Sequence, residues 1–144
     1  MINNDYSEKI EELLSKPYVV IDFLPEQVKE EKGDNYFKVE RFFLEREHKE
    51  VLYRRFAYFI IKLSSYFDLV INDNEKTIDD YEPKDLYDLF IGSDQNTCVY
   101  ILLNEKDSLI SFIGNDLYLT AYNCDDELKQ LMKQLAMSEG LFVR

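Results

Sequence analysis

Residues 97–123 read TCVYILLNEKDSLISFIGNDLYLTAYN. Three apolar segments, 97–103, 108–113 and 117–123, are separated by Asn104-Glu105-Lys106-Asp107 and by Gly114-Asn115-Asp116. Strand-length apolar runs punctuated by Asn, Asp and Gly predict an antiparallel meander, because these residues supply the backbone conformations that tight turns need. Side chains alternate along a strand, so Leu117, Leu119 and Ala121 are expected to face a core and Tyr118, Thr120 and Tyr122 to face outward.

Working outward from the meander, helical periodicity is clearest over 45–66. Leu52, Phe56, Phe59, Ile60, Leu63 and Phe67 recur at intervals of three and four, which marks one buried stripe of a central helix. A second helix is expected at 125–138. Asn123 or Asp125 suits its cap, Asp126 and Glu127 complement its dipole, and Leu128, Leu131, Met132 and Leu135 form its stripe. Gly140 ends it, Leu141 is the apolar residue that follows a glycine cap, and 141–143 suits a terminal strand. Near the start, Tyr6, Ile10, Leu13 and Leu14 form one face of a short helix, with Asp5 as its expected cap and Pro17 beyond its end. Residues 83–90 form another short helix, opened by Pro83 and stopped at Gly92, with Leu86, Leu89 and Phe90 inward. Residues 35–44 read equally well as a strand or as the lead-in to a helix. Residues 68–71 suit a short strand, and 72–82 a polar loop. The fold class implied is a single α+β domain over residues 1–144: an antiparallel meander packed against a long central helix and a C-terminal helix.

The stretch PYVVIDFLP, residues 17–25, is expected to add a strand over 18–24 to this sheet and raises a question of chemistry. Val19, Ile21 and Phe23 fall on one face; Tyr18, Val20, Asp22 and Leu24 fall on the other. A carboxylate there is either wet, or buried and paired, with Arg54 or Arg55 of the central helix as the expected partner. Catalysis is the less economical reading, because no second catalytic group accompanies Asp22.

Composition narrows the function classes. With 46% hydrophobic and 32% charged residues, the chain is globular rather than disordered. Cys98 and Cys124 are its only cysteines and His48 its only histidine, too few for a structural zinc site, so both thiols read as small core residues and neither metal nor cofactor is expected. The N-terminus has no secretory pattern and the longest apolar run, 56–61, is far short of a membrane span, so a soluble cytoplasmic protein with no membrane partner is expected. No phosphate-binding glycine loop and no nucleophile motif occurs. His48 lies among charged residues, as a surface histidine does. The acidic run 72–82 fails as a calcium loop, since the frame starting at Ile71 puts Lys76 where glycine is needed.

Net charge is −12, which disfavours nucleic acid and favours a basic protein partner. Residues 68–95 hold nine carboxylates against Lys76 and Lys84. Asp73, Glu75, Asp79, Asp80, Glu82, Asp85 and Asp88 are therefore the candidate partner-binding residues, together with Tyr118 and Tyr122 of the outward strand face. The chain's eleven tyrosines suit a contact surface. Arg46, Lys49, Arg54, Arg55 and Lys62 are the one basic concentration, read first as internal compensation. No family motif is matched. The chain resembles inhibitors and immunity proteins that mask toxic nucleases only in kind: small, acidic and tyrosine-rich. The first expectation is thus a non-catalytic binding protein of that sort. The alternatives are an enzyme or small-ligand binder with a pocket at Asp22 and the central helix's basic residues, and an adaptor or homo-oligomer using the Tyr118/Tyr122 face.

Overall fold

The computed structural model describes residues 4–144. It is a single-sheet α+β fold of seven antiparallel strands and five helices. The strands are β1 (Tyr18–Asp22), β2 (Leu69–Asp73), β3 (Lys76–Ile78), β4 (Cys98–Leu103), β5 (Ser108–Ile113), β6 (Tyr118–Tyr122) and β7 (Phe142–Val143). The helices are α1 (Asn4–Leu13), α2 (Gly33–Leu44), α3 (Arg46–Leu63), α4 (Pro83–Ile91) and α5 (Asp126–Met137). The strand order is β3-β2-β4-β5-β6-β1-β7. The meander β4–β5–β6 is its centre, as expected. β1 extends it by pairing Ile21 with Leu119, and β7 closes that end by pairing Ile21 with Val143.

Two faces follow from the alternation of side chains. Val99, Ile101, Ile110, Phe112, Leu119, Ala121 and Ile21 point to one face, where they pack with Leu52, Phe56, Phe59, Ile60 and Leu63 of α3, Leu86 and Phe90 of α4, and Leu128 and Met132 of α5. Burying one such side chain contributes roughly 1.5–3 kcal/mol, so this layer supplies most of the driving force for folding. Tyr53, absent from the expected stripe, is also buried, and its hydroxyl donates to the Asp116 carbonyl at 2.9 Å. The opposite face is only partly covered. There Ile10 and Leu13 of α1 sit on Leu102 and Leu109, leaving the β6–β1 end of that face uncovered by α1.

The turns carry the special backbone. Gly140 has φ +74 and ends α5, and the Leu141 N–H bonds back to Ala136 at 2.8 Å, the closure expected of a glycine cap. Asp125 caps α5 by accepting the Leu128 N–H at 2.8 Å. At Gly114 a Cβ would lie 1.7 Å from the Asp94 carbonyl oxygen, so no other residue fits where the β5–β6 turn passes the 94–97 loop.

Residues 35–44, open between strand and helix in the sequence, are helical, in α2, which has no fully buried residue and exposes Phe37, Val39 and Phe42. Several expectations are corrected. The run 72–82 is not a loop throughout: Asp73 and Lys76 pair across a two-residue turn, and β3 follows. Asn74 and Glu75 both have positive φ, the geometry that matches strand twist in a tight hairpin. The central helix is shorter than 45–66; Phe67 lies beyond its end but still packs on the core. The helix α1 begins at Asn4, and the expected capping by Asp5 lies outside the described side chains. No helix among the described residues is long and apolar enough to cross a membrane.

Candidate functional site

Two concave regions lie toward opposite ends of the sheet. The first is a cleft of about 750 Å³ on the partly covered face, at the β6–β1 end. Its floor is Val20, Asp22 and Thr120, its aromatic walls are Tyr18, Tyr36, Tyr118 and Tyr122, and residues 26–30 form a side. The sequence logic is plain: Tyr18↔Tyr122, Val20↔Thr120 and Asp22↔Tyr118 are cross-strand partners, so strict alternation delivers all six to one surface. The Tyr18 and Tyr122 rings stand 5.8 Å apart.

Asp22 is 4% exposed and paired, but not with the central helix. Arg144 reaches it from beyond β7: Nη2 and Nε donate to Asp22 Oδ2 at 2.6 and 3.1 Å, and the Leu24 N–H donates to Oδ1 at 3.3 Å. The expected partners Arg54 and Arg55 instead border a shallow recess with Ser138 and Glu139. The reason is topological: Ile21 faces α3, so the next side chain along β1 must face away from it. Burial pushes the Tyr36 phenol up to about 12, with Glu40 and Asp22 adding to the effect. Burial likewise raises Tyr118. Both phenols therefore stay protonated at neutral pH, as hydrogen-bonding groups rather than charges.

The second region is a groove of about 620 Å³ between β3 and α4. Ile71, Ile78, Leu86 and Leu89 form its apolar floor, and Asp73, Asp79, Asp80, Asp85 and Asp88 its rim. Lys76 is the one basic residue among the lining residues. Two rim carboxylates have local tasks. Asp85 Oδ2 accepts the Glu82 N–H at 2.8 Å and so fixes the start of α4, and Asp88 pairs with Lys84 at 2.9 Å. Asp73, Asp79 and Asp80 make no ion pair among the described residues. Glu75 and Glu82, expected in the same surface, do not line the groove: Glu75 sits in the hairpin turn and Glu82 immediately before α4.

The basic residues of α3 do not converge. Lys62 pairs with Glu139 at 2.5 Å, Arg54 with Glu50 at 3.4 Å, and Lys49 donates to Asn115 Oδ1 at 2.8 Å. None of Arg46, Lys49, Arg54, Arg55 and Lys62 lines the cleft at Asp22, which removes the combined Asp22–basic-helix pocket. His48 stacks on Phe42 with centroids 3.8 Å apart, pinning α2 to α3. Burial lifts the Cys124 thiol to about 11, which leaves it protonated and unreactive at neutral pH. No group of three or more His, Cys, Asp and Glu side chains suited to a metal occurs among the described residues.

Sequence reasoning found the Tyr118/Thr120/Tyr122 face, Asp22 and five of the rim carboxylates. It missed Tyr18 and Tyr36 as walls and Arg144 as the ion-pair partner. Tyr18 was legible from its register with Asp22; Arg144, 122 residues away, carried no local signal. No family model, curated protein or solved structure matches the chain.

Proposed function

We propose that this protein is a non-catalytic binding protein that masks a basic protein partner, in the manner of an inhibitor or immunity protein, using the β3–α4 groove. One observation carries the reading: five carboxylates rim a single groove over an apolar floor, with Lys76 the only cation lining it among the described residues. An apolar floor takes the aliphatic stem of a lysine or arginine while the rim meets its charged head. The net charge of −12 extends the attraction beyond contact. The test is capture of a partner from lysate on the immobilised protein, followed by association kinetics at low and high salt. An on-rate that falls with salt, and falls again in an Asp79→Lys, Asp80→Lys variant, is the expected result. Indifference to both would end the reading.

A second reading rests on the tyrosine cleft. Its four phenol rings and the Asp22–Arg144 floor suit a small ligand or a single inserted side chain. The wall made by residues 26–30 turns the Tyr118/Tyr122 face into a recess, which fits an inserted group better than the flat sheet of a second copy.

A further inference from the structure

We propose that the outer edge of β3 docks an extended, basic segment of the partner, which adds to the sheet as a further strand. This rests on the basic-partner reading and specifies how the partner is held. β3 ends the strand order, so among the described residues it has one strand neighbour and one edge with no strand beside it. Lys76, Thr77 and Ile78 all line the groove. Side chains of consecutive strand residues alternate between faces, so three in a row border one groove only where the backbone edge itself forms its lip.

The hydrogen-bond register identifies which groups are free. The Asn74 N–H bonds to the Cys98 carbonyl at 2.9 Å, so the even-numbered backbone of β2 faces β4 and its odd-numbered backbone faces β3. Lys76, opposite Asp73, and Ile78, opposite Ile71, therefore turn their N–H and C=O groups inward to β2. Thr77 turns both of its own outward, and neither has a loop or turn partner among the described residues. Paired N–H and C=O groups of one edge residue are what an incoming strand bonds to.

Charge selects the occupant. A second copy of this chain would bring Asp73, Asp79 and Asp80 against the same three carboxylates, which opposes self-pairing. A strand with lysine or arginine at alternate positions points those side chains over the groove and meets the rim directly. Three residues make a short ladder, so the main chain sets register and orientation while the rim supplies most of the attraction.

The probe is a fluorescent synthetic peptide of alternating lysine and valine. It is compared with two versions N-methylated at alternate amides, one for each edge of the peptide. Binding is read by anisotropy, and the Thr77 amide by hydrogen exchange. The parent peptide is expected to bind and to slow Thr77 exchange, and one methylated version to bind about tenfold more weakly through loss of its edge bonds. Equal binding of all three peptides, abolished by Asp79→Lys with Asp80→Lys, overturns strand addition while leaving the basic-partner reading intact. Binding that ignores both methylation and charge reversal removes both. Slow Thr77 exchange in the free protein, deepening with protein concentration, assigns the edge to a second copy and also overturns the proposal.

Discussion

The tyrosine cleft and the acidic groove sit on the same sheet but use carboxylates in opposite ways. In the cleft, the floor carboxylate, Asp22, is 4% exposed and bound by Arg144 and the Leu24 N–H. In the groove, Asp79 and Asp80 are exposed and make no ion pair among the described residues. A buried carboxylate must be satisfied where it sits, so its effect falls on stability. An exposed one is already satisfied by water, so its effect is on what approaches. The same residue type is thus structural at one end of the sheet and a candidate for recognition at the other.

The sharpest way to break this comparison is to remove Arg144. Arg144→Ala leaves Asp22 buried without its cation, and taking one partner from a buried pair costs about 3–5 kcal/mol. Arg144's side chain is 26% exposed, which admits water and favours the lower end, roughly 3 kcal/mol. Urea unfolding should show a correspondingly lower midpoint. Replacing both partners, Asp22→Leu with Arg144→Met, should recover most of the loss. Asp79→Ala and Asp80→Ala should each stay within about 0.5 kcal/mol of wild type. Equal losses at the two ends would erase the distinction.

Kinetics should invert the order. Asp79→Lys with Asp80→Lys is expected to slow association with the captured partner by about tenfold at low salt, converging on wild type near 1 M, where the screening length falls to about 3 Å. Tyr118→Ala should leave that on-rate unchanged. If Tyr118→Ala instead speeds dissociation of the same partner, the interface lies in the cleft and the two regions exchange roles.

Of the two regions, the cleft is the one that should respond to alkali. Tyr36 is held up to about 12, chiefly by burial, and Tyr118 is raised for the same reason. A phenol whose folded pKa lies above its ordinary value of about 10 stabilises fully below pH ~10, and that contribution is lost as pH rises through the folded value. Stability should therefore decline between about pH 10 and 12, and Tyr36→Phe should reduce the decline, with Tyr118, Tyr100 and Cys124 carrying the remainder. Denaturant midpoints across that range, read beside ultraviolet titration of the phenols, check it.

The legible parts of the molecule share a physical feature. The meander, α3 and α5 each bury a full face, so burial stamps a period of two or of three to four on the sequence. The α2 helix buries no residue completely, and its Phe37, Val39 and Phe42 face solvent, so its apolar residues are not the ones that burial selects. β3 is three residues in a charged run, and a turn rather than a buried stripe makes it a strand. Of the cleft, the β6 half was readable because alternation is local. The Asp22–Arg144 pair was not, because β1 and the chain's last residue meet only through the sheet.

The turn that makes β3 offers the smallest effect and the cleanest separation of the two roles. Asn74 has φ 49 and Glu75 φ 75, so both adopt the left-handed conformation. Asn tolerates it; Glu does so at a cost, since its Cβ crowds the following carbonyl. Asn-Gly is the favoured pair for this hairpin turn. Glu75→Gly should relieve the strain, offset in part by the greater freedom of glycine in the unfolded chain, for a net gain of about 0.5–1 kcal/mol. Glu75 does not line the groove, so only the field of one carboxylate is lost and the on-rate for a basic partner should change less than in the Asp79/Asp80 double reversal. Thermal unfolding and association kinetics on the same sample check both halves. A variant that gains no stability would mean that the hairpin holds its shape without strain at Glu75. One that gains stability but loses as much on-rate as the double reversal would move the proposed recognition surface from the groove to the tip of the turn.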